Sequence, residues 1–154
     1  MKEAFQMKIE DKILDRGAVL LLANAGEQVA LVGCELEELD LSDLILNGWS
    51  FEDCILKKTK FASAKLEGAR FIKCKAAHAD FTGAALVEAV FEQGDFNNVR
   101  FRGAHVAQAR FLACKLTGAD FNDARSLDAT FEGCRLNDAR LRGFAFKGLT
   151  LKSL

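Results

Sequence analysis

Five cysteines are the residues of this 154-residue chain whose type and spacing first suggest chemistry. They are Cys34, Cys54, Cys74, Cys114 and Cys134, each separated from the next by twenty positions or by twice that number. Thiolates bind metals or form disulfides, but the chain has no C-x2-C pair, and equally spaced sulfurs in a column do not make a tetrahedron. Parallel Cβ vectors in such a column also suit a disulfide poorly. We therefore interpret the cysteines as small buried residues and expect no metal site.

The other residues with catalytic potential do not form an arrangement that could act together. His78 and His105 fall at different positions of the repeat described below, so no Cys–His or Ser–His couple is expected. The 12 glycines include no G-x-G-x-x-G or phosphate-binding loop. Acidic and basic residues nearly balance, with a formal net charge of -1 at pH 7. We predict that the protein is not an enzyme and uses no cofactor.

A five-residue repeat explains most of these residues. Every fifth position from Leu31 to Leu151 gives 25 positions, called slots here, and 22 of them are Leu or Phe. The residue two places before a slot is usually small: between Cys54 and Ala139, 15 of 18 such positions are Ala or Cys. Neither a helix with 3.6 residues per turn nor a strand of period two can bury this pattern. A coiled chain of five-residue units can, with the slot residue and the small residue facing inward.

Two longer periods indicate that four units make one coil of twenty residues. Phenylalanines occupy slots ten residues apart from Phe51 to Phe131, which would place them on two opposite walls. The outward position just before a slot alternates in sign from one coil to the next, in the order Asp40, Lys60, Asp80, Arg100, Asp120, Arg140. Stacked strands lie about 4.8 Å apart, where opposite charges attract. The alternation therefore predicts direct stacking, with acids pairing with bases above and below.

The position two residues after each slot is suited to corners. Nine of the 12 glycines lie there, and several Asp and Asn residues share it. These residue types tolerate a positive φ. The chain has no proline, as expected where most backbone N–H groups donate between coils.

The segments 79–83 (ADFTG) and 119–123 (ADFND) closely resemble the A(D/N)LXX consensus of the pentapeptide-repeat family. The resemblance covers residues 29–153. It implies an all-β fold, a right-handed quadrilateral β-helix; this solenoid would have about six coils of twenty residues and a short N-terminal cap. The handedness comes from the resemblance alone. We assign residues 1–28 to the N-terminal cap and residues 29–154 to the pentapeptide-repeat β-helix.

Both ends of such a tube need covering, because an open end exposes core and unpaired strand edges. The small position becomes large near the ends, which predicts side-chain plugs at Leu39, Leu44, Trp49, Phe144 and Leu149. The cap fits two alternatives: Phe5, Met7 and Ile9 alternate as in a strand, whereas Phe5, Ile9 and Ile13 have helical spacing. The last coil is expected to be only partly covered, which suggests an end-to-end homodimer through the C-terminal coil.

Two inner irregularities have structural interpretations. Ala76 and Phe96 are one coil apart, and Gly94 precedes Phe96, which predicts volume compensation within a packed core. Ser126 is a polar residue in a slot. Either its hydroxyl donates to a nearby carbonyl, or a local bulge turns Leu127 inward.

These features predict a non-enzymatic protein-binding scaffold, a rigid rod whose walls present side chains to a partner. One wall carries Ile72, Val90 and Leu112 at outward positions of three successive coils, with Val87 near the adjoining corner. Clustered exposed apolar residues often mark a binding surface. The alternative is that these are scattered surface residues of a repeat protein.

The family resemblance implies a second hypothesis, because some pentapeptide-repeat proteins protect DNA gyrase from fluoroquinolones by mimicking DNA. A DNA mimic needs an acidic surface along its length, whereas residues 34–53 hold seven acids and no base and the next coil is basic. A third hypothesis is a bacterial effector or structural spacer module, which no sequence feature separates from the first. Direct nucleic-acid binding is not expected, since no wall is net basic.

The cellular location of the protein is predicted from the absence of membrane-spanning and signal-peptide patterns in the sequence. The longest uncharged apolar run, 18–23, is far too short to span a bilayer, so no membrane partner is expected. Reduced thiols and the absence of a signal-peptide pattern predict a cytoplasmic protein.

Overall fold

The computed structural model describes residues 6–146, 148 and 150–152. Within them the chain winds into a four-sided solenoid of about seven turns. Eight parallel strands form one sheet in chain order: β1 (Gln6–Glu10), β2 (Gln28–Val32), β3 (Ser50–Glu52), β4 (Arg70–Ile72), β5 (Val90–Glu92), β6 (Arg110–Leu112), β7 (Thr130–Glu132) and β8 (Thr150–Lys152). The predicted all-β solenoid is confirmed, and it has one turn more than expected because the N-terminal segment contributes a turn.

Successive coils stack in the predicted register. On the wall formed by the strands, Phe51 lies beside Phe71. The other three walls pair through single parallel bridges with the same offset, as between Asp40 and Lys60. The coil length predicted from the cysteine spacing and the charge alternation is therefore confirmed.

The interior is a column of stacked aromatic rings. The rings of Phe51 and Phe71 are stacked, with centroids 4.8 Å apart and planes 1° apart. Phe51 meets Phe61, half a coil away, edge-on at 5.8 Å and 84°. Each of the rings spaced by ten residues from Phe51 to Phe131 thus has a stacked neighbour one coil away and a perpendicular neighbour half a coil away, both favourable geometries for aromatic pairs. The slot and small positions of the central coils are buried, as the repeat predicts.

The corners all use left-handed backbone. Every residue two places after a slot, from Gly33 to Gly148, has a φ between 52° and 74°, and most of these residues are not glycine. At Gly143 a Cβ would in addition overlap the Asp123 carboxylate of the preceding coil, so glycine avoids a contact there as well as accommodating the positive φ. At Gly103 the same position faces open space.

The N-terminal segment begins with a strand. β1 pairs in parallel with β2, and Ile9 lies beside Leu31, so this offset is two positions longer than the offset between the later coils. The strand alternative is thus confirmed for this segment, although Phe5 lies outside the described residues. The sheet runs without a break through residue 28, and the division of the chain into a cap and a repeat domain stays a prediction.

One helix, α1 (Arg16–Asn24), completes the first turn. It begins after Asp15, whose carboxylate accepts a hydrogen bond from the N–H of Ala18 at 2.8 Å and so caps the helix. Val19 is fully buried against the core cluster of the tube, while Leu21 is 74% exposed. Within the described residues, no helix is long and apolar enough to cross a membrane.

The predicted plugs lie inward at both ends. Trp49, Leu44 and Phe144 are buried and Leu39 is half-buried. Leu149 lies outside the described residues. The large residues at the small position therefore cover core rings, as Trp49 does for Phe51 with ring centroids 6.2 Å apart.

The inner irregularities are accommodated without a bulge. A Cβ on Gly94 would overlap the ring of Phe96, which agrees with the expected compensation of volume. The Ser126 hydroxyl donates to the carbonyl of Ala145, and Leu127 is 50% exposed. The first alternative for Ser126 is therefore confirmed.

Candidate functional site on the strand wall

The outward faces of β1–β8 form one flat wall, called the strand wall here, and three of the four predicted binding residues lie on it. Ile72 ends β4, Val90 begins β5 and Leu112 ends β6. They flank the buried phenylalanine of each strand, because successive side chains of a strand point to opposite faces. All three are half-buried. Val87 is also half-buried, but it lies on the adjoining wall, just before the corner at Glu88.

The register separates the apolar residues by charged ones. No two of the three are stacked neighbours, because both outward columns of the strand wall alternate apolar and charged side chains. In chain order the columns read Glu52, Ile72, Glu92, Leu112, Glu132 and Arg70, Val90, Arg110. The apolar residues therefore form a zigzag row edged by charges, not a continuous apolar patch.

The charged residues beside this row have no ion-pair partner among the described residues. In that part of the chain, ion pairs within 4.0 Å join Lys8 to Glu10, Arg102 to Asp120 and Arg142 to Asp123. None of these involves Arg70, Glu92 or Arg110. Both guanidinium groups of the strand wall are thus free to meet carboxylates of a partner, a role in which arginine is favoured over lysine.

The acidic residues just before the slots use their carboxylates locally. Asp40 accepts a hydrogen bond from the N–H of Ser42 at 3.0 Å, and Asp80 accepts one from the N–H of Thr82 at 2.9 Å. Hydrogen bonding from Ser42 holds the pKa of Asp40 below its usual value. No ion pair within 4.0 Å joins two members of this alternating column among the described residues. The predicted stacking order is right, but the predicted pairing differs, because the short Asp side chain bonds to its own turn.

The cysteines are structural in this fold. All five are free thiols with at most 2% exposure. Cys54 donates through Sγ to the Leu31 carbonyl at 3.3 Å, and Cys74 donates in the same way to Phe51 at 3.2 Å. Burial raises the pKa of the Cys34 thiol. Their interpretation as small buried residues is confirmed, and the described residues contain no group of three or more His, Cys, Asp or Glu that could hold a metal.

A polar groove on another wall was missed by the sequence reasoning. It has a volume of about 310 Å³ and is lined by Lys58, Lys60, His78, Asp80, Asn98 and Arg100. A signal was available, because these residues form two columns only two positions apart in each of three successive coils. Neither column alone predicts a site. The groove forms because the two columns lie side by side at a corner of the coil.

The C-terminal end exposes more apolar surface than the repeat predicts. Phe146 occupies a slot, yet it is 58% exposed, and Leu151 is 51% exposed. With Phe144 they help to line a small apolar hollow of about 40 Å³. No described coil lies over these side chains, so they are exposed, whereas the slot residues of the central coils are buried.

Comparison with known families gives two matches. A model described as a pentapeptide repeat region matches residues 27–101. A second model, described as pentapeptide repeats (8 copies), matches residues 95–125. A search of curated proteins found no match.

Comparison with solved structures gives several matches. QnrB1, a plasmid-mediated fluoroquinolone resistance protein, is 23% identical over 94% of this chain and 81% of that chain, with a TM-score of 0.46. HetL, a pentapeptide repeat protein involved in heterocyst differentiation regulation in the cyanobacterium Nostoc sp. Strain PCC 7120, is 18% identical over 94% and 87%, with a TM-score of 0.36. A pentapeptide repeat protein from the Arabidopsis thaliana thylakoid lumen is 30% identical over 70% and 64%, with a TM-score of 0.25.

Proposed function

The chain belongs to the pentapeptide-repeat family, and from this premise we propose that it is a non-enzymatic scaffold that binds a protein partner through the strand wall. The zigzag row of Ile72, Val90 and Leu112 is the observation that carries the proposal. A half-buried apolar row edged by arginines resembles the composition of protein interfaces, in which apolar side chains and Arg are enriched. Val87 extends the row around the corner.

Partner capture tests this assignment. The tagged protein would be used to purify partners from its native host, followed by mass spectrometry and by pull-down of the identified partner. The triple substitution Ile72→Glu, Val90→Glu and Leu112→Glu is expected to weaken capture at least tenfold, since it places three carboxylates in a desolvated contact.

A matched variant controls for added charge. Ala62, Ala77 and Thr117 are half-buried outward residues on the two walls that carry neither the strands nor Val87, and their triple substitution by Glu adds the same three charges. This control should bind the partner like the wild type, and both variants should keep the wild-type circular dichroism spectrum. Equal capture by the strand-wall variant and the wild type would refute the proposal.

We also propose that the exposed C-terminal end joins two copies of the chain end to end. Phe146 and Leu151 supply exposed apolar surface beside β8, whose outer edge no described strand covers, and a second copy would cover both. Sedimentation at several concentrations should show a dimer, and Phe146→Asp should give a monomer. A monomer at all concentrations would remove this part of the proposal.

The gyrase hypothesis from the family resemblance remains the second candidate, and the effector or spacer role the third. Asp40 is stacked next to Lys60, and this alternation of sign continues along the column, which disfavours a DNA mimic. We expect no protection of gyrase supercoiling from a fluoroquinolone, and protection would replace the scaffold proposal. Free cysteines fit a reducing compartment, and the cytoplasm stays our expected location.

A further inference from the structure

We propose that the polar groove, called the basic groove here, binds an acidic segment of a protein partner in which two acidic residues flank one uncharged residue. The proposal shares with the proposed function only the premise that the partner is a protein. The basic groove is lined by Lys58, Lys60, His78, Asp80, Asn98 and Arg100. It lies ten residues along the chain from the strand wall, which is half a coil around the tube, so the two surfaces can be tested separately.

The basic groove is a valley between two rows of side chains. One row is the corner column, where Lys58, His78 and Asn98 have φ of 57°, 63° and 59°. The other row is the column just before the slots. The residues between the two rows, such as Thr59 and Ala79, are fully buried and leave only backbone as the floor. With coils spaced by about 4.8 Å, three coils give a valley roughly 10 Å long, which fits about three residues of extended chain.

The two cations at the ends of this valley form no ion pair with a described residue. Asp80 lies between Lys60 and Arg100 in the column, but its Oδ1 atom accepts from the N–H and the hydroxyl of Thr82. Neither cation has a carboxylate within 4.0 Å in the described part of the chain. Both charges are therefore available to a ligand.

The next acid in the column is also engaged elsewhere. Asp120 follows Arg100 in the stack, yet its Oδ2 atom lies 3.3 Å from Nε of Arg102. Arg102 thus takes the carboxylate that the alternation would assign to Arg100. The groove keeps a local excess of positive charge, from Lys58, Lys60 and Arg100 against the single Asp80.

The order of charges along the column indicates the kind of ligand that the basic groove would bind. Along the valley the column presents a cation, a carboxylate and a cation. Side chains two residues apart in an extended peptide lie on one face about 7 Å apart. Lys60 and Arg100 are two coils, roughly 10 Å, apart, and their long side chains can converge on two such acidic side chains. A peptide N–H between them would donate to the Oδ2 atom of Asp80. Lys58 and His78 would add donors from the corner row.

The ends of the groove favour a short acidic segment over a nucleic acid. Asp40 precedes Lys60 in the same column, and Asp120 follows Arg100. A phosphate backbone that continued beyond the three coils would meet these carboxylates, and the repulsion opposes its binding. A segment with only two acidic side chains ends before reaching them.

Peptide binding to the full chain tests the proposal. The probe is a fluorescein-labelled peptide, Gly-Ser-Glu-Ala-Glu-Ser-Gly, followed by fluorescence anisotropy at low ionic strength. The wild type should bind it, and the counterpart with Gln at both Glu positions should bind at least tenfold more weakly. Lys60→Glu with Arg100→Glu should also weaken binding at least tenfold, and the milder Lys60→Gln with Arg100→Gln should weaken it severalfold with an unchanged circular dichroism spectrum.

The matched control lies in a similar column outside the groove. Lys75 and Lys115 flank Asp95 on an adjoining wall, and Lys75→Glu with Lys115→Glu makes the same charge change. This variant should bind the peptide like the wild type. Equal losses in the two double variants, or no binding to the wild type, would overturn the proposal.

Competitors separate the acidic peptide from other anions. Inorganic phosphate or a twelve-residue oligothymidylate that displaced the peptide at a lower concentration than the unlabelled peptide would overturn the proposal as well. Loss of peptide binding through the groove variants, with partner capture through the strand wall retained, would show that the two surfaces act independently. Failure of partner capture with peptide binding intact would count against the proposed function alone.

Discussion

Restoring the missing cysteine of the column is expected to destabilise the protein. Gly94 stands where the regular spacing of the cysteines would place a sixth one. A Cβ at this position would overlap ring carbons of Phe96 and lie 3.1 Å from the carbonyl oxygen of Cys74. The backbone oxygen cannot move away, and the ring is held in a packed core, so Gly94→Cys overpacks the site. Overpacking typically costs about 1–3 kcal/mol.

A second substitution should reverse most of this loss. Phe96→Leu alone removes the edge-on contact with Phe91, whose ring centroid is 5.2 Å away, and we expect it to cost about 1–2 kcal/mol, below the ~3–5 kcal/mol of a Phe→Ala change. In the double variant the smaller side chain leaves room for the thiol, which can then donate to the Phe71 carbonyl as Cys74 donates to Phe51. The double variant should therefore lose about 1–2 kcal/mol less free energy of unfolding than the two single variants lose together.

Urea unfolding followed by circular dichroism measures this coupling. For a chain of this size, 1 kcal/mol corresponds to a shift in Tm of about 2–4 °C. Phe101→Leu is the matched control, because this ring also meets Phe91 edge-on, at 5.5 Å, whereas the ring nearest to a Cβ on Gly94 is that of Phe96. It should not rescue Gly94→Cys. Additive losses within about 0.5 kcal/mol for the Phe96 pair would refute the reasoning.

Three further predictions concern buried bonds, corners and thiols. Thr59→Val is expected to lower the free energy of unfolding by about 1 kcal/mol, because the buried hydroxyl donates to the Leu36 carbonyl at 2.8 Å; unchanged stability in urea would contradict that bond. Gly143→Ala should lower Tm more than Gly103→Ala, since both have a positive φ but only the first meets a carboxylate. Equal shifts in Tm would show that the positive φ alone, and not the contact with the carboxylate, determines the loss of stability. All five cysteines should be inert to Ellman's reagent until the protein unfolds, because none is more than 2% exposed; labelling of any thiol within minutes in the native state would contradict this burial.

The repeat made the core and the corners predictable, even where the residue type argues otherwise. Lys58 and Ala113 have φ of 57° and 54°, although neither type favours left-handed backbone. Their place two residues after a slot predicts the conformation, because the coil must turn there regardless of the side chain. The stacking of Phe51 on Phe71 is likewise predictable from the sequence, because the two residues are one coil apart.

The first turn was less predictable because it lies outside the repeat. Its offset, which places Ile9 beside Leu31, matches no period of the sequence, and α1 stands where the later coils have five-residue units. Met7 and Ile9 alternate as in a strand, whereas Ile9 and Ile13 have helical spacing, and so short a segment does not decide between the two patterns. Only the pairing of β1 with β2 decides between them.

The candidate site was predictable in its columns but not in its contacts. Ile72 and Leu112 are separated by two full coils, which places them in one column from sequence alone. The sequence does not reveal that Asp80 bonds to Thr82 rather than to a cation above or below, since a local hydrogen bond and an ion pair between coils compete for one carboxylate. That competition also leaves the basic groove charged.

The surface of the tube repeats over twice the length of its interior. The pattern of core residues repeats with every coil. The charges of the alternating column and the residue types of the strand wall repeat only after two coils. A deletion of residues 61–80 would preserve the stacked core but place Lys60 directly below Arg100. A deletion of residues 61–100 would place Lys60 below Asp120 and keep the alternation. Changes in length that add or remove coils in pairs are therefore compatible with this surface, and changes by a single coil are not.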